Sequence, residues 1–354
     1  MRVPVPDVAG LARGARIRLR AGPARSARIR PQAGLAMLGC IAAMTLAGCG
    51  STSNRALRVS LSALEVKAPA APTSSSSKAA NVACGDPTAS LRPSGQLPAP
   101  GHMPSGTFMR TIQDRRRLIV GVDQNTLLFG YLNPFNGQIE GFDIDMLRQV
   151  AKAIFGDPGA IEFKAISSAQ RIPVIQDQSV DIVADAMTIN CERAKQVAFT
   201  TVYYDAGQRI MVPSNSPVRS TRDLAGRKVC ATIGSTSIEN IRKLVPRAIP
   251  YPVKLRTDCL VALQEGKADA ISTDDAILYG FQAQDPYTKI VGPRFSDEPY
   301  GMAINRNHPE FVRFVNAVLE RIRGDGTWAS IYEKWLGRVT HASAPAPPQP
   351  HYRD

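Results

Sequence analysis

The chain is short of histidine, of long apolar runs and of cysteine pairs at metal-binding spacing, and each shortage removes a class of function. Its four histidines, His102, His308, His341 and His351, fall in the tails or at a helix start, where none is placed for general-base catalysis or metal binding. No two cysteines form a CxxC pair and no histidine stands beside one, which argues against a zinc site. There is no Walker loop and no Gly-x-Ser-x-Gly elbow. No basic stretch is interleaved with aromatics, as a nucleic-acid surface requires. The expectation is a chain without catalytic residues, cofactor, metal or nucleic-acid partner.

The net charge of +13 does not restore the nucleic-acid reading. Residues 1–48 hold eight arginines and one aspartate, so over half of that charge belongs to this one segment. An Arg-rich lead to Arg30 is followed by the apolar run Leu35 to Ala47, which reads as an export signal and is too short to span a bilayer comfortably. It closes on Leu46-Ala-Gly-Cys49, which resembles the lipobox of bacterial lipoproteins, where the cysteine is acylated. A plain cleaved signal, with Cys49 incidental, is the competing reading. No other stretch is long and apolar enough to span, so an acylated Cys49 implies a protein anchored to the outer face of the cell membrane.

With 354 residues and 44% hydrophobic content, the chain has material for one large or two medium domains. Residues 49–110 are rich in Ala, Pro and Ser and read as a disordered tether, and residues 339–354 as a disordered tail. The folded body is then expected from about Thr111 to Arg338. Setting aside Cys40 and Cys49, four cysteines remain, and an even number outside the cytoplasm favours disulfides. Of three possible pairings we favour Cys230 with Cys259, both in the presumed second lobe, which leaves Cys84 with Cys191.

Within the body the stretch Val180 to Arg193 turns abruptly from apolar to polar. It reads as a buried strand whose carboxyl end carries a polar cluster, the place where open α/β sheets bind ligands. Arg193 supplies a planar fork suited to a carboxylate. The pattern recurs: Pro173-Val-Ile-Gln-Asp-Gln-Ser-Val-Asp-Ile-Val-Ala aligns with Val261-Ala-Leu-Gln-Glu-Gly-Lys-Ala-Asp-Ala-Ile-Ser, with Gln176 and Asp181 returning as Gln264 and Asp269. The second copy leads to Thr273, Asp274 and Asp275. One lobe thus offers a cation and the other an anion, which suits a zwitterion.

Around these, strands and helices alternate, as in a mainly parallel sheet. Leu118-Ile-Val-Gly-Val runs into Asp123, Asn136-Gly137 marks a turn, and Asp143 is placed to cap a helix. Ser167 or Ser168 is a cap for the next helix. Gly234-Ser-Thr-Ser237 precedes another helix, as an anion site or as ordinary capping. The lobes are expected to be residues 111–206 with 297–338, and 207–296, so that the chain crosses between them twice.

Five ordered motifs now resemble one family: Leu118-Ile-Val-Gly-Val-Asp, Glu140-Gly-Phe-Asp-Ile-Asp, Met187-Thr-Ile-Asn-Cys-Glu-Arg, Ala268-Asp-Ala-Ile and Gly326-Thr-Trp-Ala-Ser-Ile-Tyr-Glu-Lys-Trp-Leu. From about Arg117 to Gly337 the chain is similar to the periplasmic solute-binding proteins for polar amino acids, of the glutamine- and glutamate-binding type. The resemblance implies an α/β, two-lobed periplasmic binding protein fold with two hinge crossovers that closes on its ligand. It implies that Arg193 grips the ligand α-carboxylate with Thr188 and backbone near Ala186. Asp274 would accept from the α-ammonium, Thr236 would add a backbone donor, and Asp123 would line the side-chain pocket. Thr232 and Thr273 stand where glutamine-binding members carry Lys and His, so that pocket differs, and Arg209 or Gln208 is the candidate to offset the Asp123 charge.

The implied partners are a polar amino acid of the glutamine, glutamate, asparagine or aspartate class and an ABC permease, with the protein a monomer. A sensor docking on a membrane receptor is the alternative, and an exported dehydratase-like enzyme a third reading. Taken singly, each site residue also has an ordinary explanation. Arg193 also reads as pairing with Glu192 or Asp185 at the surface, and Asp274 as capping the helix that follows, with Asp275 competing for either role.

Overall fold

The computed structural model describes residues 84–353; the signal segment, Cys49 and the first part of the tether lie outside them. Two five-stranded sheets organise the body. The first runs Ile161–Ala165, Leu118–Val122, Ile182–Val183, Ala303–Ile304, Ala198–Phe199 in spatial order. Its first three strands are parallel, and Ala303–Ile304 is antiparallel to both neighbours. The second runs Ile249–Val253, Lys228–Thr232, Ala270–Asp274, Tyr204–Pro213, Thr288–Tyr300. Each sheet, with its helices, is one lobe.

The central strands are apolar almost throughout because helices cover both faces of a parallel sheet. Leu118, Val120 and Val122 are fully buried. Helix Pro309–Gly324 lays Val312, Val315, Leu319 and Ile322 on the first lobe, the stripe its spacing dictates.

Asp181 and Asp269 show what the sequence repeat encodes. Each opens a strand by exchanging two bonds with its neighbour: Asp181 N donates to Ile119 O (2.8 Å) while its carboxylate accepts from Ile119 N (2.8 Å). Asp269 does the same with Lys228, at 2.8 and 2.7 Å. The repeated aspartate fixes strand register in both lobes, and so fixes where the next strand ends.

Two long strands join the lobes. Tyr204–Pro213 and Thr288–Tyr300 pair antiparallel from Tyr204↔Tyr300 to Pro213↔Thr288, with an irregularity between Val291 and Ser296. An isolated antiparallel bridge, Thr188↔Tyr300, connects this ribbon to the first lobe. Disulfides join Cys84 to Cys191 and Cys230 to Cys259.

Three expectations are corrected. Parts of residues 84–110 and 339–353, where a tether and a tail were expected, pack against the first lobe. Ser90 and Tyr352 form a parallel bridge, Ser90 Oγ donates to Phe199 O (2.6 Å), Met103 is buried, and a helix occupies Phe108–Arg115. Average composition hid the few apolar and hydroxyl residues that seat these segments. Asp143 does not cap its helix: Gly141, at φ 141°, holds the N-cap position, where a Cβ would lie 2.0 Å from Phe129 O. Gln170, rather than Ser167 or Ser168, precedes helix Arg171–Gln176.

Candidate functional site

The charged groups gather where the carboxyl ends of both sheets face each other. On the first lobe, the strand ending at Val122 delivers Asp123, and the strand ending at Val183 delivers Asp185, Ala186 and Thr188. Asn190 caps the short helix Cys191–Ala194 by accepting from Arg193 N (2.9 Å), which turns the Arg193 side chain inward. Arg193 is buried, donates from Nη1 to Thr188 O (2.7 Å), and reaches across to Gly234 O of the second lobe (3.2 Å). It is not a surface partner of Glu192, which pairs with Lys195 instead.

Arg171 converges on the same point. Its Nη2 donates to Gly234 O (3.1 Å) and its Nη1 to Asp185 O (3.1 Å). Burial pushes the Arg171 guanidinium down to about 9, and the like charge of Arg193 pushes the same way. Burial also lowers Arg193, against the opposing pull of Glu298, Glu239 and Asp274.

On the second lobe, Asp274 ends strand Ala270–Asp274 and precedes helix Asp275–Gln284 without capping it through its side chain. Its Oδ2 accepts from Tyr300 Oη (2.6 Å), and its Oδ1 is buried with no hydrogen-bond partner. Burial first, and the nearby Glu298 carboxylate second, raise it to about 7. Asp275 is committed elsewhere, to Gly207 N (3.2 Å) and Arg294 Nε (2.6 Å). A buried carboxylate with a free acceptor is poised for a cationic donor.

Thr236 opens helix Thr236–Leu244, whose N-cap is Ser235. Its hydroxyl donates to Glu298 (2.6 Å), as does that of Thr188 (2.7 Å). Glu298 thus ties a threonine of each lobe to the hinge ribbon. Thr273 lies within 3.2 Å of Ser237 Oγ. The Ala186 N–H donates to Asp143 (2.8 Å), and Asp143, raised to about 7 by burial, also accepts from Tyr203 Oη (2.7 Å). The Ala186 amide is therefore engaged within the first lobe rather than turned to the cleft.

Asp123 accepts from Asn125 N (2.8 Å), Thr126 Oγ1 (2.6 Å) and Arg256. Burial opposes its charge, but Arg256 and these donors hold its carboxyl below the usual range. Neither expected neighbour supplies that cation: Gln208 bonds Ser272 Oγ (2.8 Å) and Arg209 bonds Gly292 O (2.8 Å). Arg256, Arg171 and Glu298 are buried charges at the cleft that reading the sequence passed over. Glu298 lay in the expected return crossing, whereas nothing local distinguishes Arg256 from an exposed first-turn residue.

Among the described residues no group of histidine, cysteine, aspartate and glutamate could hold a metal, and no helix is long and apolar enough to cross a membrane. Two α/β lobes on a two-strand hinge, with opposite charges buried between them, define a clamshell binding protein. The chain belongs to the bacterial extracellular solute-binding proteins, family 3, whose model matches residues 118–338. It is 40% identical over 229 residues, 64% of this chain and 84% of the relative, to the ABC transporter glutamine-binding protein of Bacillus subtilis. It is 30% identical over 230 residues, 62% of this chain and 78% of the relative, to the glutamate-binding protein of Corynebacterium glutamicum. Among solved structures it resembles an ancestral arginine-binding protein bound to glutamine, at TM-score 0.59 and 36% identity over 63% of this chain and 99% of that one.

Proposed function

We propose that this chain captures a polar amino acid of the glutamine, glutamate, asparagine or aspartate class outside the cytoplasm and delivers it to an ABC importer, as a monomer held to the membrane through an acylated Cys49. The observation that carries this reading is the opposition of Asp274 and the arginines. Asp274 has a buried oxygen without a donor, and Arg171 and Arg193 share one carbonyl across the cleft. An α-ammonium at the first and an α-carboxylate at Arg193 would satisfy both with a single zwitterion. The relatives named for glutamine and glutamate support the ligand class and the importer.

Closure is the functional step. A ligand shifts the open and closed populations only by its preference for the closed form, and here it gains that preference by bridging groups from both lobes. A thermal-shift screen of the proteinogenic amino acids tests the reading, since a ligand at a hundred times its dissociation constant stabilises by about 2.7 kcal/mol. Stabilisation by none of the polar amino acids would reject it. For the anchor, Cys49→Ala should move the protein from the membrane fraction to the soluble one.

A further inference from the structure

Arg256 is the first residue of helix Arg256–Gln264 in the second lobe, yet its side chain is buried against the first. Nη1 donates to both carboxylates, Asp123 and Asp185 (2.5 Å to the latter), and to Thr126 Oγ1 (3.1 Å); Nη2 donates to Asp185 O (3.1 Å). Every partner named here is in the first lobe. Nothing in the helix requires the residue. A cation in the first turn opposes the helix dipole, and the cap is made instead by Asp258, whose carboxylate accepts from Leu255 N (2.9 Å).

The two aspartates Arg256 joins follow adjacent strands, in the part of the cleft where Arg171 bonds Asp185 O and shares Gly234 O with Arg193. Without Arg256 this part would hold two carboxylates and the single cation of Arg171, which lies 3.9 Å from Asp185. That is a site for a guanidinium or an ammonium. With Arg256 in place both carboxylates have a guanidinium against them, and the cation position is filled by the protein itself.

We propose that Arg256 determines side-chain charge selectivity: as a built-in guanidinium on Asp123 and Asp185, it excludes arginine and lysine and leaves the cleft to amino acids with uncharged or anionic polar side chains. This rests on the amino-acid reading above and adds a residue that decides within it. A basic ligand would have to displace Arg256 from two buried carboxylates or lie against its charge, and like charges brought together at a desolvated contact repel strongly. A carboxamide meets no such barrier. The buried Asp185 Oδ2, which has no hydrogen-bond partner, offers an acceptor to its N–H.

The test is calorimetry on the full chain with glutamine, glutamate, arginine and lysine, for the wild type, Arg256→Ser and Asp185→Asn. The wild type should bind glutamine or glutamate and reject both basic amino acids. In Arg256→Ser the preference for glutamine over arginine should fall by on the order of tenfold or more. Asp185→Asn leaves Arg256 in excess, so the ratio of glutamate to glutamine affinity should rise by a similar factor. Arg256 lies across the cleft from its partners, so Arg256→Ser should fold, and Asp185→Asn tests the same charge balance from the opposite lobe if it does not. An unchanged ranking in a folded variant, or tight arginine binding by the wild type, overturns the proposal while leaving amino-acid capture standing. Failure of the wild type to bind any amino acid overturns both.

Discussion

Arg171 and Arg193 donate to the same carbonyl oxygen, Gly234 O, at 3.1 and 3.2 Å, across the gap between the lobes. Two guanidinium forks thus share one neutral acceptor, and the Arg193 charge adds to burial in lowering the basicity of Arg171. A carboxylate between them would relieve both. Arg193→Ala should therefore weaken binding of every α-amino acid tested by on the order of a hundredfold or more, and Arg193→Lys should recover little, because an ammonium cannot make the paired contact. Calorimetry on both variants checks this, and retained affinity in Arg193→Ala removes the residue from the site.

Asp274 gives the binding a pH dependence. Its carboxyl is held up to about 7, so below that pH the ligand-free folded protein carries a proton there that an arriving ammonium must expel. Affinity should rise with pH to about 7, by up to tenfold per unit, and then level. The ligand-free stability runs the other way: a raised folded pKa favours the folded state at low pH, and that advantage is lost as pH climbs from about 4 through about 7. Asp143, also near 7, adds to the stability trend with the same sign. Glu298, Asp275, Tyr300 and Arg256 act on Asp274 throughout. Affinity that stays flat from about pH 5 to pH 8 would show that Asp274 does not receive the ammonium.

Gly280 sits in helix Asp275–Gln284 of the second lobe with no room for a side chain: a Cβ there would lie 2.5 Å from Leu127 O of the first lobe. The contact exists only when the lobes are together. Gly280→Ala should cost about 1–3 kcal/mol of ligand affinity, the usual scale for overpacking, with little change in the melting temperature of the ligand-free protein. A large fall in that melting temperature would mean that Gly280 serves folding and not closure.

The Cys230–Cys259 bond closes a separation of 29 residues inside the second lobe. Chain-entropy arguments put its contribution at about 3–4 kcal/mol. Replacing both cysteines by serine should lower the denaturation midpoint accordingly, measured by denaturant titration of the oxidised wild type and the variant. An unchanged midpoint would count against a structural role.

How much was legible in the sequence follows from the range of the interaction involved. Alternating apolar runs, the Asp181 and Asp269 repeat and the polar residues after each strand are short-range signals, and they were enough for two α/β lobes and for the strand ends that carry Arg193 and Asp274. It was the family resemblance, and not these signals, that assigned Asp123, Thr188 and Thr236 to the cleft. The short-range signals misjudged Asp143, which serves Ala186 and Tyr203 instead of its own helix end, because a buried acceptor is claimed by whichever donor packing delivers.

By itself, then, the sequence determined which residues lie at the mouth of each lobe, since strand period and register are properties of neighbours along the chain and across one ladder. Which of those charges meet was decided only by the tertiary structure. Arg256 reaches Asp123 across a separation of 133 residues, and Glu298 gathers Thr188 and Thr236 from 110 and 62 residues away. Those pairings exist because two lobes close face to face, and no local pattern records the angle at which they do so.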